Sequence, residues 1–596
     1  MVSKWIGLGI VLAAGCNNGG PTGGGMPAAP IVQMVVDADR DGVVDAKATG
    51  DVMYRNMWDK THGAIFLANV DDDDADTKVD ATDEVVNGDA DALDLARIKV
   101  VAWPDAPATA AGTITIEPAD AVHLFRHAAD GSWNVFHSGD ALAAADLVAG
   151  LELGIEAIDF ANPKWDGTVA LTLSVTQPDA MGMAAVAGTD KVMLKVAPLV
   201  LQSNLASVDR IYAGMISDSG SPPFLSDLHK GAMLANVPVV EVNSEDDRYI
   251  DPNTGVSDQW TQDIFEVGFT NMPGAGGKPQ GMFVVIRTPV PDRVAADYTE
   301  DEMLAPDFGW VWKHSDPYNR DPESASLDSF GNLDAIPPYD HGSSHYPLGR
   351  VLMGSIPKRH VDDALRDFLN AQVIQGPNFY IDTSWLLVGH LDEVLSFVKA
   401  STPRGYKLLM ASPARARKLL MDLVTKDPQN GNVLVFAGRK WVNDQGKEVP
   451  AQVTITALLA DADRMAASQL AQTQIDVIRA ALQKEMGLAD DEIVDIPVLF
   501  EGTDIGNGTL EYVAYTPGLV NLLHVDGILM PPAAHGPSIG GMDALAADFV
   551  AQTTPLGDTT SWVEDWDLYH RLDGEVHCGS NVTRKVPAKS WWEVLP

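Results

Sequence analysis

Between Ile31 and about Pro198, short runs of β-branched and aromatic residues follow one another, each closed by turn residues. They are Ile31–Val36, Ala64–Asn69, Ile98–Trp103, Thr113–Ile116, Val122–Arg126, Val169–Val175 and Val192–Val196. Strands of that length at that spacing predict an all-β sandwich. From about Leu199 the rhythm changes. Strand-like runs at Tyr406–Met410, Val433–Phe436 and Leu519–His524 alternate with helical ones. Val361–Ala371 places Val361, Leu365, Phe368 and Leu369 on one helical face, and Ala460–Met486 has helical composition without glycine or proline. Strands interleaved with helices predict an α/β domain. The residues show no internal sequence repeat.

The chain has 596 residues, enough for several domains. Met1–Cys16 carries one charge at Lys4 and an apolar run from Trp5 to Ala14. That run is too short for an ordinary membrane span and predicts an export signal. Its ending, Leu-Ala-Ala-Gly-Cys, resembles a bacterial lipobox and would make Cys16 a lipidated residue; the alternative is a simple secretory signal. Residues 17–30, rich in Gly, Pro and Asn, predict a flexible tether. The expectation is therefore an exported protein of the cell envelope, or a secreted one, touching membrane only through a lipid anchor.

A formal charge of −42 argues against nucleic acid, whose phosphates need a basic face. It suits bound cations or a cationic substrate. The acids are clustered. Asp37, Asp39 and Asp41 alternate before Gly42, with Asp45 following. A second set comprises Asn69, Asp71–Asp74, Asp80, Asp83, Glu84, Asp91 and Asp94. Alternate carboxylates of a tight loop can converge on a hard cation. The first set is not an EF-hand, because the Glu at loop position twelve is missing. The competing reading is a solvated acidic loop.

There are two cysteines. With Cys16 lipidated, Cys578 has no partner, which excludes a disulfide framework. Cys578 lies in Gly574-Glu575-Val576-His577-Cys578-Gly579-Ser580-Asn581. It is either a small buried thiol or a nucleophile. The glycines argue against a packed core strand. Two other stretches could supply partners: Trp260-Thr261-Gln262-Asp263-Ile264-Phe265-Glu266, and Ser384–Glu393, where His390 and Asp392 are two apart and can face one pocket in extended chain.

Together these stretches resemble the animal peptidylarginine deiminases, from about residue 31 to the last residue. The likeness is dense in Asp328-Ser329-Phe330-Gly331-Asn332-Leu333, Tyr346-Pro347-Leu348-Gly349-Arg350, Gly389-His390-Leu391-Asp392-Glu393, Gly574–Gly579 and Trp591-Trp592. The resemblance implies an immunoglobulin-like calcium-binding β-sandwich over 31–198 and a five-bladed α/β propeller, the pentein fold, over 199–596. The family's additional N-terminal immunoglobulin-like domain has no counterpart in the residues read. Cys578 then matches the nucleophile, His390 the general acid/base, Asp263 and Asp392 the carboxylates that grip the guanidinium, and Trp260 and Val388 the pocket walls. The family's calcium near the active site implies Gln262, Glu266 and Asp334 as ligands, with the backbone oxygens of Phe330 and Leu333. A separate calcium array implies Asn69, Asp71, Asp73, Asp80, Asp83, Asp91, Asp94 and Asp307.

Departures from the family pattern are specific. Its second catalytic-domain calcium uses an acid where this chain has Ile264, with other ligands near Arg287, Thr288 and Pro291, so that site is expected to be lost. A substrate-contacting arginine is replaced by Leu572, beside Arg571, and a second falls near Asp292 or Arg293, so Arg571 and Arg293 are expected to serve as substrate-binding residues in their place. The expected activity is calcium-dependent hydrolysis of arginine in proteins or peptides to citrulline. Alternatives are a deiminase of free arginine or a small guanidino compound, and a non-catalytic calcium-binding surface protein. The oligomeric state stays open.

Overall fold

A computed structural model of the chain describes residues 31–595 apart from 179–182, 356–358, 444 and 507. The expected signal, Cys16 and the tether lie outside the described residues.

The first part carries two five-stranded sheets. One runs in the order Met34–Val36, Ala96–Val100, Leu151–Ala157, Val122–His127, Trp133–Val135, with every pair antiparallel. The other runs Ala64–Phe66, Ala184–Val196, Thr168–Pro178, Ala111–Glu117, Ala141–Leu142, and only its first pair is parallel. Along Thr168–Pro178 and Ala111–Glu117, buried positions alternate with more exposed ones, as expected for strands with one face on a core. Ile98, Leu153 and Ile155 of one sheet share that core with Ile116, Leu171 and Leu194 of the other. Two expected strands are shorter than their apolar runs. The first begins at Met34, and the second ends at Phe66, so that Asn69 enters the acidic loop as a buried side chain.

Beyond Val200 lie five small sheets with one shared pattern. In each, a central strand has an antiparallel neighbour on one side and a parallel neighbour on the other. The central strands are Val208–Met215, Pro279–Arg287, Arg350–Gly354, Tyr406–Ser412 and Ile528–Met530. The internal repeat that the residues do not show is present in the strand pairing. The antiparallel neighbour of Val208–Met215 is Ser580–Arg584, so the first central strand and the last strand of this region lie side by side.

The helices follow their signals. Asp461 caps Ala462–Met486 by accepting from the Arg464 N–H, and Gly487 closes it at a φ of 67°. Asp362 caps Asp363–Ala371, which buries Leu365, Phe368 and Leu369. Leu519–His524 departs from expectation: only Leu523–Val525 is strand. The residues before it turn, bringing the Asn521 side chain against Cys578.

The two parts are stitched together by hydrogen bonds. Gln372 donates to the Ala161 carbonyl and accepts from Leu199. Gln280 donates to Asp94, and the Asp307 N–H donates to Asp71. Among the described residues, no helix is long and apolar enough to cross a membrane.

Candidate active site

Cys578 sits in the turn that leads into Ser580–Arg584 and is 6% exposed. Asp263 belongs to the short helix Thr261–Ile264, and His390 precedes the helical turn Leu391–Glu393. The Gln262 N–H donates to the Cys578 carbonyl at 3.1 Å, tying the first of these to the cysteine turn.

A pocket of about 510 Å³ opens over these residues, lined by Trp260, Asp263, Arg293, Val388, His390 and Cys578, with Leu572 and Asp573 also on its wall. Trp260 packs so closely on Gly574 that a Cβ there would fall 2.2 Å from the indole ring. His390 Nε2 lies 2.9 Å from the Ser326 carbonyl, which can only accept, so Nε2 carries the proton. The other ring nitrogen, Nδ1, is 3.8 Å from Asp263 Oδ1. A Cβ on Gly331 would lie 2.5 Å from that Nδ1 and 3.2 Å from carboxylate oxygens of both Asp263 and Asp392. The glycine therefore keeps open the space that the three side chains share.

Asp392 turns inward. Its Oδ2 lies 2.9 Å from His577 Nδ1 and accepts from the Cys578 thiol at 3.5 Å. It lines a small inner cavity of about 40 Å³ together with Gln262, Glu266, Leu333, Asp334 and His577. Asp263 Oδ1 and Asp392 Oδ1 are both buried without a hydrogen-bond partner. Buried carboxylate oxygens are costly unless a donor reaches them.

Burial, with the Asp392 and Asp263 carboxylates, pushes the Cys578 thiol well above its ordinary value. Burial also raises Asp263, against the opposing pull of Arg293 and His390. Burial works against a charge on His577, but the bond to Asp392, with Asp334 and Glu266 nearby, leaves its pKa raised.

The family model for protein-arginine deiminase (PAD) matches residues 186–593. The chain belongs to the protein-arginine deiminase family. It is 34% identical over 449 residues to human protein-arginine deiminase type-1, covering 74% of this chain and 62% of the relative. To the mouse type-4 enzyme it is 31% identical over 448 residues, 74% of this chain and 62% of that protein. To human type-3 it is 33% identical over 413 residues, covering 68% and 57%. The chain thus spans about three-fifths of the length of these curated relatives.

Against the family expectations, the substrate-side arginines part company. Arg293 lines the pocket, bonded to Asp258 at 2.8 Å, Ser329 at 2.8 Å and Asp263 at 3.4 Å. Arg571 does not line it; its guanidinium pairs with Asp567. Leu572, 51% exposed, stands at the rim instead.

The residues expected to hold the inner calcium converge. The Gln262 amide bonds the Phe330 carbonyl at 3.2 Å and Glu266 at 3.4 Å. Burial pushes Glu266 up to about 7 and Asp334 up to about 6. An oxygen-rich set with two partly buried acids fits a hard divalent cation. Arg584, also at this cavity, is lowered to about 10 by burial.

At the place of the second calcium site, which was expected to be lost, stand an apolar side chain and a guanidinium. Ile264 is buried, and the Arg287 guanidinium, 2% exposed, donates to the carbonyls of Thr288 and Val290 at 3.3 Å and to Asp297 at 2.7 Å. It also lies 4.1 Å over the Trp312 ring.

The acidic loop is solvated only in part, with Asp74 and Glu84 exposed. Asp71, Asp72, Asp80, Asp91 and Asp94 are buried. Asp71, Asp73 and Asp94 bring ligand atoms within 4.8 Å of one another. Asn69 Oδ1, Asp71 Oδ1 and Asp73 Oδ2 are buried without partners. Burial and like charges raise Asp73 to about 6. Asn69 donates to Asp91, and Asp307 reaches the set through its backbone N–H. Asp80 groups instead with Asp72 and Asp74, and Asp83 remains exposed. In the first cluster, Asp37 and Asp39 meet Asp51 and not Asp41. Asp51 arrives from the helix Thr49–Tyr54, and its carboxylate accepts from the Ala38 and Asp45 N–H groups. Asp41 is exposed, its N–H donating to Asp37.

Sequence reasoning assigned no role to His577, Asn521, Ser326 or Gly331. His577 and Gly331 stood inside quoted motifs; Asn521 and Ser326 had no local signal.

Proposed function

We propose that this chain hydrolyses the guanidinium of arginine in proteins or peptides, giving citrulline and ammonia. The observation that carries the reading is that the Asp263 and Asp392 carboxylates, each with one buried oxygen lacking a partner, converge with His390 on the space beside Gly331, while Asp392 also touches the Cys578 thiol. A guanidinium is a planar cation whose N–H groups fit two carboxylates in a fork. Gripped there, its central carbon faces the thiol.

The bound cation offsets the two carboxylates that hold the thiol protonated, and so favours the thiolate. As Cys578 Sγ forms a bond to the central carbon, the thiol proton passes to His390 Nδ1. His390 hands that proton to one amino nitrogen, which leaves as ammonia as its C–N bond breaks, and a thiouronium remains on the sulfur. His390 then takes a proton from water as the water oxygen attacks the same carbon. The C–S bond breaks, releasing citrulline and restoring the thiolate.

Gln262, Glu266, Asp334 and the carbonyls of Phe330 and Leu333 would hold a calcium ion at the inner cavity, where it would neutralise the two acids and fix the backbone that bears Asp263. The acidic loop, with Asn69, Asp71, Asp73, Asp91, Asp94 and Asp307, would hold more. In this reading the two N-terminal sheets form an immunoglobulin-like sandwich, and the five small sheets are the blades of a pentein propeller. The chain is exported and anchored through Cys16.

A second reading, a deiminase of free arginine, is favoured by the pocket rim. Asp292 and Asp573 line the wall beside Leu572. Carboxylates there suit the α-ammonium of a free amino acid, while leucine donates nothing to a peptide carbonyl. The test compares kcat/KM for a blocked peptidyl arginine with that for free arginine. A clear preference for the free amino acid overturns the peptidyl assignment.

A further inference from the structure

Asn521 is 1% exposed, and its side-chain amide is spent entirely on the cysteine turn. Oδ1 accepts from the His577 N–H at 3.0 Å and from the Cys578 N–H at 3.3 Å. Nδ2 donates to Cys578 Sγ at 3.2 Å. The orientation of the amide is not free: two backbone N–H groups demand an acceptor, so the oxygen must face them and the nitrogen must face the sulfur.

The segment that carries Asn521 is itself locked to that turn. The Gly518 N–H donates to Glu575 Oε1 at 2.6 Å, and the Asn521 N–H donates to the Gly518 carbonyl at 2.8 Å. Glu575 accepts through its own carbonyl from Gly579. Residues 518–521 and 575–579 thus clamp each other, and the clamp closes at the sulfur.

The sulfur otherwise faces carboxylates. Asp392 is in contact, and the Asp263 charge also acts on the thiol. A nucleophilic sulfur carries negative charge, and both acids oppose it. The Asn521 N–H presents the positive end of a dipole to that charge. A neutral amide does this without competing for the carboxylates that a cationic substrate needs, as a lysine or arginine in its place would. Its direction also fixes which lone pair of the sulfur points at the pocket.

We propose that Asn521 is a catalytic residue: its amide N–H stabilises and aims the Cys578 sulfur for attack. This rests on the reading of Cys578 as the nucleophile. The test separates the two claims by measuring the thiol directly. Asn521→Asp keeps an oxygen for the two backbone N–H groups and puts a carboxylate oxygen, with its charge, where the donor to sulfur stood. Asn521→Ala removes the donor without adding charge. Alkylation of Cys578 by iodoacetamide at one fixed pH, followed by mass spectrometry of its peptide, reads the sulfur whether or not the chain turns over arginine. Citrulline release from a blocked peptidyl arginine reads catalysis, and circular dichroism with a thermal melt identifies the folded variants.

The expected result is at least a ten-fold slower alkylation in either folded variant. In addition, kcat falls on the order of a hundred-fold while KM changes less than three-fold. Alkylation at the parent rate in either folded variant overturns the proposal, as does a loss confined to KM. If the parent alkylates readily but releases no citrulline, the deiminase reading fails while the comparison of alkylation rates still decides the role of Asn521.

Discussion

His577 Nδ1 lies 2.9 Å from Asp392 Oδ2, so the carboxylate proposed to grip substrate is held from behind by its neighbour in the cysteine turn. The other oxygen of Asp392 has no partner. Converting this carboxylate to an amide leaves a desolvated guanidinium half-paired, which costs roughly 3–5 kcal/mol for a broken buried pair. Asp392→Asn should therefore lower kcat/KM on the order of a hundred- to several-thousand-fold. Arg571→Ala should stay within about three-fold, since Arg571 is paired with Asp567 away from the pocket. Citrulline release measures both, and equal losses in the two variants would contradict the grip. Lysine side chains, lacking the planar fork, should not react.

Cys578→Ala should abolish ammonia release with an unchanged circular dichroism spectrum, because one small buried side chain replaces another. His390→Ala should also abolish turnover while leaving Cys578 open to alkylation. Substantial ammonia release by the Cys578 variant would refute the covalent route.

Glu266, Asp334 and the acidic loop bring carboxylates together in poorly solvated positions. Added calcium should raise the thermal midpoint, since a ligand bound only by the folded chain stabilises it. A strong chelator should stop turnover, and calcium should restore it. Arg287 behaves differently, because its cation is covalently part of the chain. Arg287→Met should loosen residues 288–293 and lower kcat/KM at least ten-fold, and excess calcium should not rescue the loss. Rescue would show that an ion can take the place of the guanidinium.

Glu575 is raised by burial and shares its surroundings with Asp565, His570 and Asp573. The folded chain therefore binds its proton more tightly than the unfolded chain does. The stability this provides is fully present below the ordinary glutamate range and is lost as pH rises above it toward the raised folded value. Glu575→Gln, which needs no proton, should flatten the fall in urea midpoint across that window. A parallel fall in parent and variant would count against a raised Glu575.

Strands were legible where one face is buried, as in Thr168–Pro178, because alternation is written locally. Asp263, His390, Asp392 and Cys578 were legible through motifs, and the structure gathers them at one site. Asp51 was not: it joins Asp37 and Asp39 only because a short helix folds back on the loop. Asn521 was hidden for a similar reason, since nothing near it in the chain speaks of a cysteine 57 residues away. The misplacement of Arg571 shows the converse limit. Adjacency to Leu572 suggested a substrate contact, but the turn there sends the two side chains to different places.

Ser580–Arg584, the strand that carries Cys578 at its head, finds its place only against Val208–Met215, some 370 residues earlier in the chain. A ribosome therefore delivers the nucleophile last, after every other part of the pocket has been synthesised. On the proposed reading, no unfinished chain that lacks this strand can modify arginine, whether its own or that of a neighbour. The proposed activity is then delayed until synthesis has passed Arg584, by topology alone.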